Sequence, residues 1–194
     1  MPTKLQVLEQ YFGYPSFRPG QEELIDALLS GRDVLGVLPT GAGKSLCYQV
    51  PALLMEGITL VVSPLISLMK DQVMALVHKG VRGAYLNSSL TWNQYRAALR
   101  NARAGVYKII YVAPERLLTP EFLDFAKSAP ISMVTVDEAH CLSQWGQDFR
   151  PSYLSIPEFV NSLPKRPVIS AFTATAPQKC GRTSSPSWNC KTPG

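Results

Sequence analysis

Lys44 stands in Leu38-Pro39-Thr40-Gly41-Ala42-Gly43-Lys44-Ser45, between a β-branched apolar run and a segment of helical periodicity. Glycines 41 and 43 let main-chain N–H groups of the loop 40–45, those of Thr40 and Ala42 included, come close to phosphate oxygens. The Lys44 ammonium reaches terminal phosphates and the Ser45 hydroxyl can ligate Mg²⁺. The positive end of the helix that follows favours the same negative charge. Leu38 occupies the position where the strict phosphate-loop pattern has its first glycine, but the gripping half, T-G-x-G-K-S, is intact. This spacing points to a nucleoside triphosphate and to nothing narrower.

Asp137-Glu138-Ala139-His140 directly follows the apolar run ISMVTV. A parallel strand delivers its last residues to a ligand crevice, so the two carboxylates take separate tasks there. Asp137 would hold the Mg²⁺ that bridges two phosphates, and Glu138 would orient and deprotonate the attacking water. Without the phosphate loop upstream, the same pair would read as a solvated turn. His140 reads as a hydrogen-bonded bridge from this site to neighbouring segments, since it has no partner ligands for zinc. Cys47, Cys141, Cys180 and Cys190 form no C-x-x-C pair, and Cys47 and Cys141 read as small buried hydrophobes.

Positioning these groups requires strands that end at them. Apolar runs at Asp33–Leu38, Ile58–Val62, Lys108–Val112, Ile131–Val136 and Pro167–Ala171, with a weaker one at Gly83–Leu86, alternate with helical periodicity. The helical segments are Gln21–Leu29, Gly43–Leu54, Ser67–Lys79, Thr91–Arg103, Pro120–Ala126 and Pro151–Ser162. Alternation of this kind predicts an α/β fold with a mainly parallel central sheet flanked by helices.

The 194 residues, 46% hydrophobic and 17% charged, suit one globular domain. Nineteen Lys and Arg against fourteen Asp and Glu leave a net charge of +5, which permits a polyanionic partner and equally an ordinary basic surface. No signal-peptide core and no run of about 18 uncharged apolar residues is present, so the expectation is a cytoplasmic protein without a membrane partner.

D-E-A-H together with T-G-x-G-K-S resembles the superfamily 2 helicases, and further segments narrow the resemblance to the RecQ DNA helicases. Phe12-Gly13-Tyr14 and Phe17-Arg18-Pro19-Gly20-Gln21 are similar to that family's adenine-recognition element. The resemblance implies that Tyr14 stacks on the base while Arg18 and Gln21 hydrogen-bond its edge. The stretch from Ser63 to Gln72, with Pro64 and Ser67, is similar to a motif whose loop contacts a DNA strand, and Ala113-Pro114-Glu115-Arg116 to another. Cys141 to Tyr153 resembles the aromatic-rich loop that couples DNA binding to hydrolysis. Trp145 and Phe149 offer faces for base stacking, worth about 1–3 kcal/mol per base, and Arg150 adds a phosphate contact. The alternative is that both aromatics pack into the core. Ser170 to Ala176 resembles the T-A-T segment that links the ATP site to the nucleic-acid track, although Phe172 stands where a smaller aliphatic is expected and Gln147 where some relatives carry His.

The resemblance implies a three-layer RecA-like P-loop NTPase domain using ATP and Mg²⁺. It would be the motor domain of a 3′-5′ helicase that couples ATP hydrolysis to unwinding of single-stranded or forked DNA, in DNA repair and recombination. An inert nucleotide- or DNA-binding fragment and an RNA-directed helicase are the alternatives. The likeness covers Leu5 to about Lys179, and the ATP-binding domain is expected to be 1–179. The tail 180–194 contains no Leu, Ile, Val or Phe, and is expected to be disordered and to arise from a frameshift after Lys179. A second RecA-like domain is expected in a full-length relative and has no room in this chain, so the fragment alone should bind Mg-ATP weakly and unwind little.

Overall fold

The computed structural model describes residues 2–142 and 148–174. The apolar runs become six strands, β1 (Val34–Val37), β2 (Ile58–Val62), β3 (Gly83–Leu86), β4 (Ile109–Val112), β5 (Ile131–Val136) and β6 (Val168–Thr173). They form one sheet in the order β1-β6-β5-β2-β4-β3, with every neighbouring pair parallel. β2 and β4 are buried along their whole length, as strands covered on both faces must be, which is why their sequences are continuous apolar runs and not alternations.

Two helical layers do the covering. One holds α1 (Lys4–Val7), α2 (Gln21–Leu29), α3 (Lys44–Leu54) and α4 (Ile66–His78). These pack Val7, Leu28, Cys47, Met69 and their neighbours against Val61, Tyr111, Met133 and Phe172 of the sheet. The other holds α5 (Trp92–Arg103), α6 (Pro120–Ser128) and α7 (Ser155–Ser162), which bury Leu99, Phe122, Phe125 and Phe159 against Leu60, Ile110 and Val134. The three layers are the α/β architecture expected from the alternation of runs.

The differences are local and have physical causes. The periodicity over 151–162 predicts one helix. The chain instead makes a 3₁₀ turn at Pro151–Leu154 before α7, where the buried Tyr153 ties the turn to the sheet. α1 was not expected. Thr3 and Gln6 cap it reciprocally, and a π-helical turn, Leu8–Phe12, extends it until Gly13 reverses the chain. Its Lys4 pairs with Glu22 and Asp26 of α2, 2.9 and 2.5 Å away. The half-buried Lys108 ammonium donates to the carbonyls of Met55 and Gly57 (2.9 Å for Gly57), satisfying the chain where α3 ends.

Candidate active site

β1 and β5 deliver the two motifs to the same end of the sheet, with β6 hydrogen-bonded between their strands. Pairing of β1 with β6 runs on to Leu38, whose N–H donates to the Thr173 carbonyl at 3.0 Å. Leu38 is therefore still extended and partly buried, and the glycine of the strict pattern is not required there. The loop then turns through Gly41 (φ 81°) and Gly43 (φ 79°), both in the left-handed region that side chains resist. Gly43 is doubly constrained, because a Cβ would lie 2.5 Å from the Gln21 amide nitrogen. Lys44 opens α3, so its main-chain N–H and that of Ser45 are among the donors that a helix leaves unpaired at its start.

Gln21 and Arg18 hold this loop from outside. The Gln21 side chain, 1% exposed, donates through Nε2 to the carbonyls of Ala42 and Gly43, both at 3.1 Å, and accepts from the Arg18 N–H at 2.9 Å. Arg18 Nη1 donates to the Gly41 carbonyl at 2.7 Å. In this conformation the loop itself takes the hydrogen bonds that the resemblance assigns to a base edge. Tyr14 lies 45% exposed.

Across the loop, Asp137 is buried and its N–H donates to the Val62 carbonyl of β2 at 2.9 Å. One carboxylate oxygen accepts from the Glu138 N–H at 3.0 Å. Burial, followed by the neighbouring Glu138 charge, pushes the Asp137 carboxyl above its ordinary range, while Lys44 opposes the shift. Glu138 is the one described residue other than glycine with positive φ, 52°. Such strain, on the order of 1–3 kcal/mol, persists only where surrounding contacts enforce it. Its carboxylate sits 3.5 Å from Lys44 Nζ and 3.3 Å from His140 Nδ1.

His140 joins the box to the end of β6, with Nδ1 3.1 Å from the Thr173 hydroxyl and Nε2 3.9 Å from Asp148. Tyr153 reaches back from its 3₁₀ turn and donates from a fully buried hydroxyl to the Asp137 carbonyl at 2.8 Å. Arg150 closes the loop that leads there, its N–H donating to the Cys141 carbonyl at 3.1 Å and Nη1 to the Pro64 carbonyl at 3.3 Å. Pro64, Glu138, His140, Phe149 and Arg150 line one open depression. Phe149 is partly exposed and belongs to neither core layer, so packing into the core is not its role. Ser67 is exposed at the start of α4, whereas Pro64 is buried in the turn after β2. Trp145, Gln147 and the tail 180–194 lie outside the described residues.

Phe172 is accommodated by a glycine. Its ring is fully buried opposite Gly36 in the register of β1 with β6, and a Cβ at Gly36 would come within 2.6 Å of it. Tyr48, Tyr111 and Tyr153 belong to no motif that assigns them a role. The available signal was a phenol inside an apolar segment such as IIYV, because a buried hydroxyl must find a partner. Among the described residues no group of three or more His, Cys, Asp or Glu side chains could hold a metal ion unaided, so a cation at Ser45 and Asp137 needs phosphate oxygens to complete its shell.

The profile of the DEAD/DEAH box helicases matches residues 18–183. The ATP-dependent DNA helicase RecQ of Pasteurella multocida is 51% identical over 174 residues, which is 90% of this chain and 27% of that protein. The Bacillus subtilis protein of the same name is 48% identical over 171 residues, 88% of this chain and 29% of that one. This chain thus spans less than a third of the length of these relatives. Among solved structures, a hypothetical ATP-dependent RNA helicase from Sulfolobus tokodaii superposes with a TM-score of 0.69 at 23% identity, covering 90% of this chain and 51% of the other. The Mycobacterium smegmatis helicase Lhr, bound to ssDNA and AMP-PNP, gives 0.67 at 20% identity over 88% of this chain and 24% of its own. At these identities the likeness speaks to the fold.

Proposed function

We propose, from the premise that the chain belongs to the DEAD/DEAH box helicases, that it is the ATP-binding motor domain of a RecQ-type DNA helicase. One observation carries the reading: Lys44 of the phosphate loop and Glu138 of the box stand 3.5 Å apart although 94 residues separate them.

The residues fit a magnesium nucleotide. Two left-handed glycines shape a cradle ahead of α3, and Asp137 is a buried carboxylate whose ionisation is disfavoured until a cation sits beside it. When bound, the magnesium ion neutralises charge on the phosphates. Main-chain N–H groups of 41–45 would bind the phosphate oxygens, that of Ala42 after leaving the Pro39 carbonyl to which it donates at 3.0 Å, and Ser45 and Asp137 would hold the cation. Lys44 exchanges Glu138 for a terminal phosphate, which releases Glu138 to orient the attacking water and take its proton. His140 transmits the state of that carboxylate to Thr173 and β6. Tyr14 stacks on the adenine, and Arg18 and Gln21 read its edge once their bonds to the loop rearrange. Pro64, Ser67, Trp145, Phe149 and Arg150 contact a single DNA strand. A second RecA-like domain is the partner this wall of the cleft calls for, and 3′-5′ unwinding of forked DNA in repair and recombination is the corresponding activity. The whole unit would act in the cytoplasm.

Binding measurements test this. A fluorescent ATP analogue with Mg²⁺ is expected to bind the chain, and Lys44→Ala to weaken it at least about tenfold. Single-stranded DNA should bind more tightly than RNA of the same length, with Arg150→Ala weakening the complex. Equal nucleotide binding by wild type and Lys44→Ala would sink the ATP site. Tighter binding of RNA than of DNA would favour an RNA-directed enzyme, and fast DNA-stimulated turnover by this chain alone would remove the need for a second domain.

A further inference from the structure

α5 carries a surface that neither the nucleotide site nor the depression beside it uses. Its sequence, WNQYRAALRNAR, holds three arginines and no carboxylate. Tyr95, Leu99 and Ala102 face the core, and Trp92, Arg96, Arg100 and Arg103 follow one another along a flank of that apolar stripe at helical spacing. Arg103 pairs with Asp124 of α6. Arg96 and Arg100 are exposed and have no ion pair among the described residues. Glu115 and Glu121, exposed in the segment after β4 and in the first turn of α6, pair with neither of them nor with Arg116.

The flank begins on an aromatic platform. Trp92, 52% exposed, stacks on the buried ring of Tyr95, with centroids 6.0 Å apart and planes 17° apart. The Arg116 guanidinium lies over the same Tyr95 ring, 4.9 Å from its centroid. A lone exposed aromatic is ordinary, but an indole beside unpaired arginines joins the two chemistries that a nucleic-acid strand needs, a face for a base and cations for phosphates. Duplex DNA hides its base faces, and an acidic peptide gives the indole nothing to stack on, so the pairing favours an unpaired strand.

Position adds a second reason. All neighbouring strands are parallel, so their carboxyl ends share one edge of the sheet. Along that edge the box follows β5, Pro64 follows β2, Ala113–Arg116 follows β4 and Trp92 follows β3. Only β4 separates β2 from β3, a distance of about 10 Å at the usual strand spacing. A strand leaving the depression at Pro64 and Arg150 along this edge passes Arg116 and reaches Trp92. We infer that Trp92 and Arg96 extend the single-strand track beyond that depression, Trp92 stacking on an unpaired base and Arg96 holding a phosphate. This rests on the reading of the chain as a DNA-strand-binding domain.

The test is fluorescence anisotropy of the full chain with a labelled oligothymidine of about twelve nucleotides and with an abasic strand of the same length. Trp92→Ala is expected to weaken the oligothymidine complex at least about fivefold and to leave the abasic complex at wild-type affinity, because stacking needs a base; Trp92→Phe restores most of the loss. Arg96→Gln weakens both complexes and lowers the slope of log affinity against log salt by about 0.7, the share of one phosphate on a single strand. Equal losses on both strands in Trp92→Ala would make the indole a structural cover for Tyr95 and overturn its stacking role. An unchanged salt slope in Arg96→Gln overturns the phosphate contact, and that exposed position decides the extension should Trp92→Ala fail to fold. If wild type binds no single strand, the DNA reading falls and the inference with it. If Arg150→Ala weakens binding while Trp92→Ala and Arg96→Gln bind as wild type, the extension alone falls.

Discussion

At the scale of single residues, the site is held ready by unfavourable choices. Asp137 is buried beside another carboxylate, and Glu138 takes a left-handed backbone. With its carboxyl raised above the reference 3.8, the folded chain holds the Asp137 proton more tightly than the unfolded chain does. Below that reference value both states are protonated and nothing is lost. As pH rises from that reference value through the raised folded value, ionisation costs the fold stability, and above the folded value the whole cost is present. In metal-free buffer, Asp137→Asn should therefore melt above wild type at pH 7, with the gap closing toward pH 3.8 and Mg²⁺-dependent nucleotide binding gone. A lower melting temperature for the variant at pH 7 would contradict this account of the carboxyl.

At the scale of elements, β1 and β6 show how a departure from a motif is absorbed by its neighbour. Phe172 reads as oversized in the sequence because its counterpart, Gly36, lies 136 positions away and no periodicity connects them. Gly36→Ala should cost roughly 1–3 kcal/mol in denaturant unfolding, since the added methyl meets the ring of a residue packed between layers. Combined with Phe172→Leu, the loss should fall short of the sum of the two single losses, because the smaller side chain makes the room that the methyl takes. Additive losses would show that the two positions do not share one space. The strands themselves were readable to within about two residues, most plainly β2 and β4, where burial along the whole strand leaves an unbroken apolar run.

For the whole molecule, the N-terminal segment belongs to the same cooperative layer as the phosphate loop. Val7, Leu8 and Phe12 are buried with Cys47, Tyr48 and Met69. Leu8→Ala should cost about 2–5 kcal/mol by equilibrium unfolding, a large share of the 5–15 kcal/mol typical of a domain. A loss below 1 kcal/mol, roughly that of a surface position, would mean the segment is an appendage. This helix is not legible in the sequence even though Thr3 and Gln6 form a capping box, because four α-helical residues followed by a π-helical turn are too few to establish a 3.6-residue period.

Legible in the residues alone is the chemistry that travels in short contiguous words. The phosphate loop, the Asp-Glu pair and the parallel alternation are local patterns of residue type, and local steric and hydrogen-bonding rules suffice to read them. The tertiary structure alone decided who meets whom. Lys44 faces Glu138, Gln21 grips Ala42 and Gly43, His140 meets Thr173, and Tyr48 meets Tyr111, across separations of 94, 21, 22, 33 and 63 residues. Those encounters depend on strand order and register, which are set by the packing of all six strands and two helical layers together, and no single word of the sequence contains them.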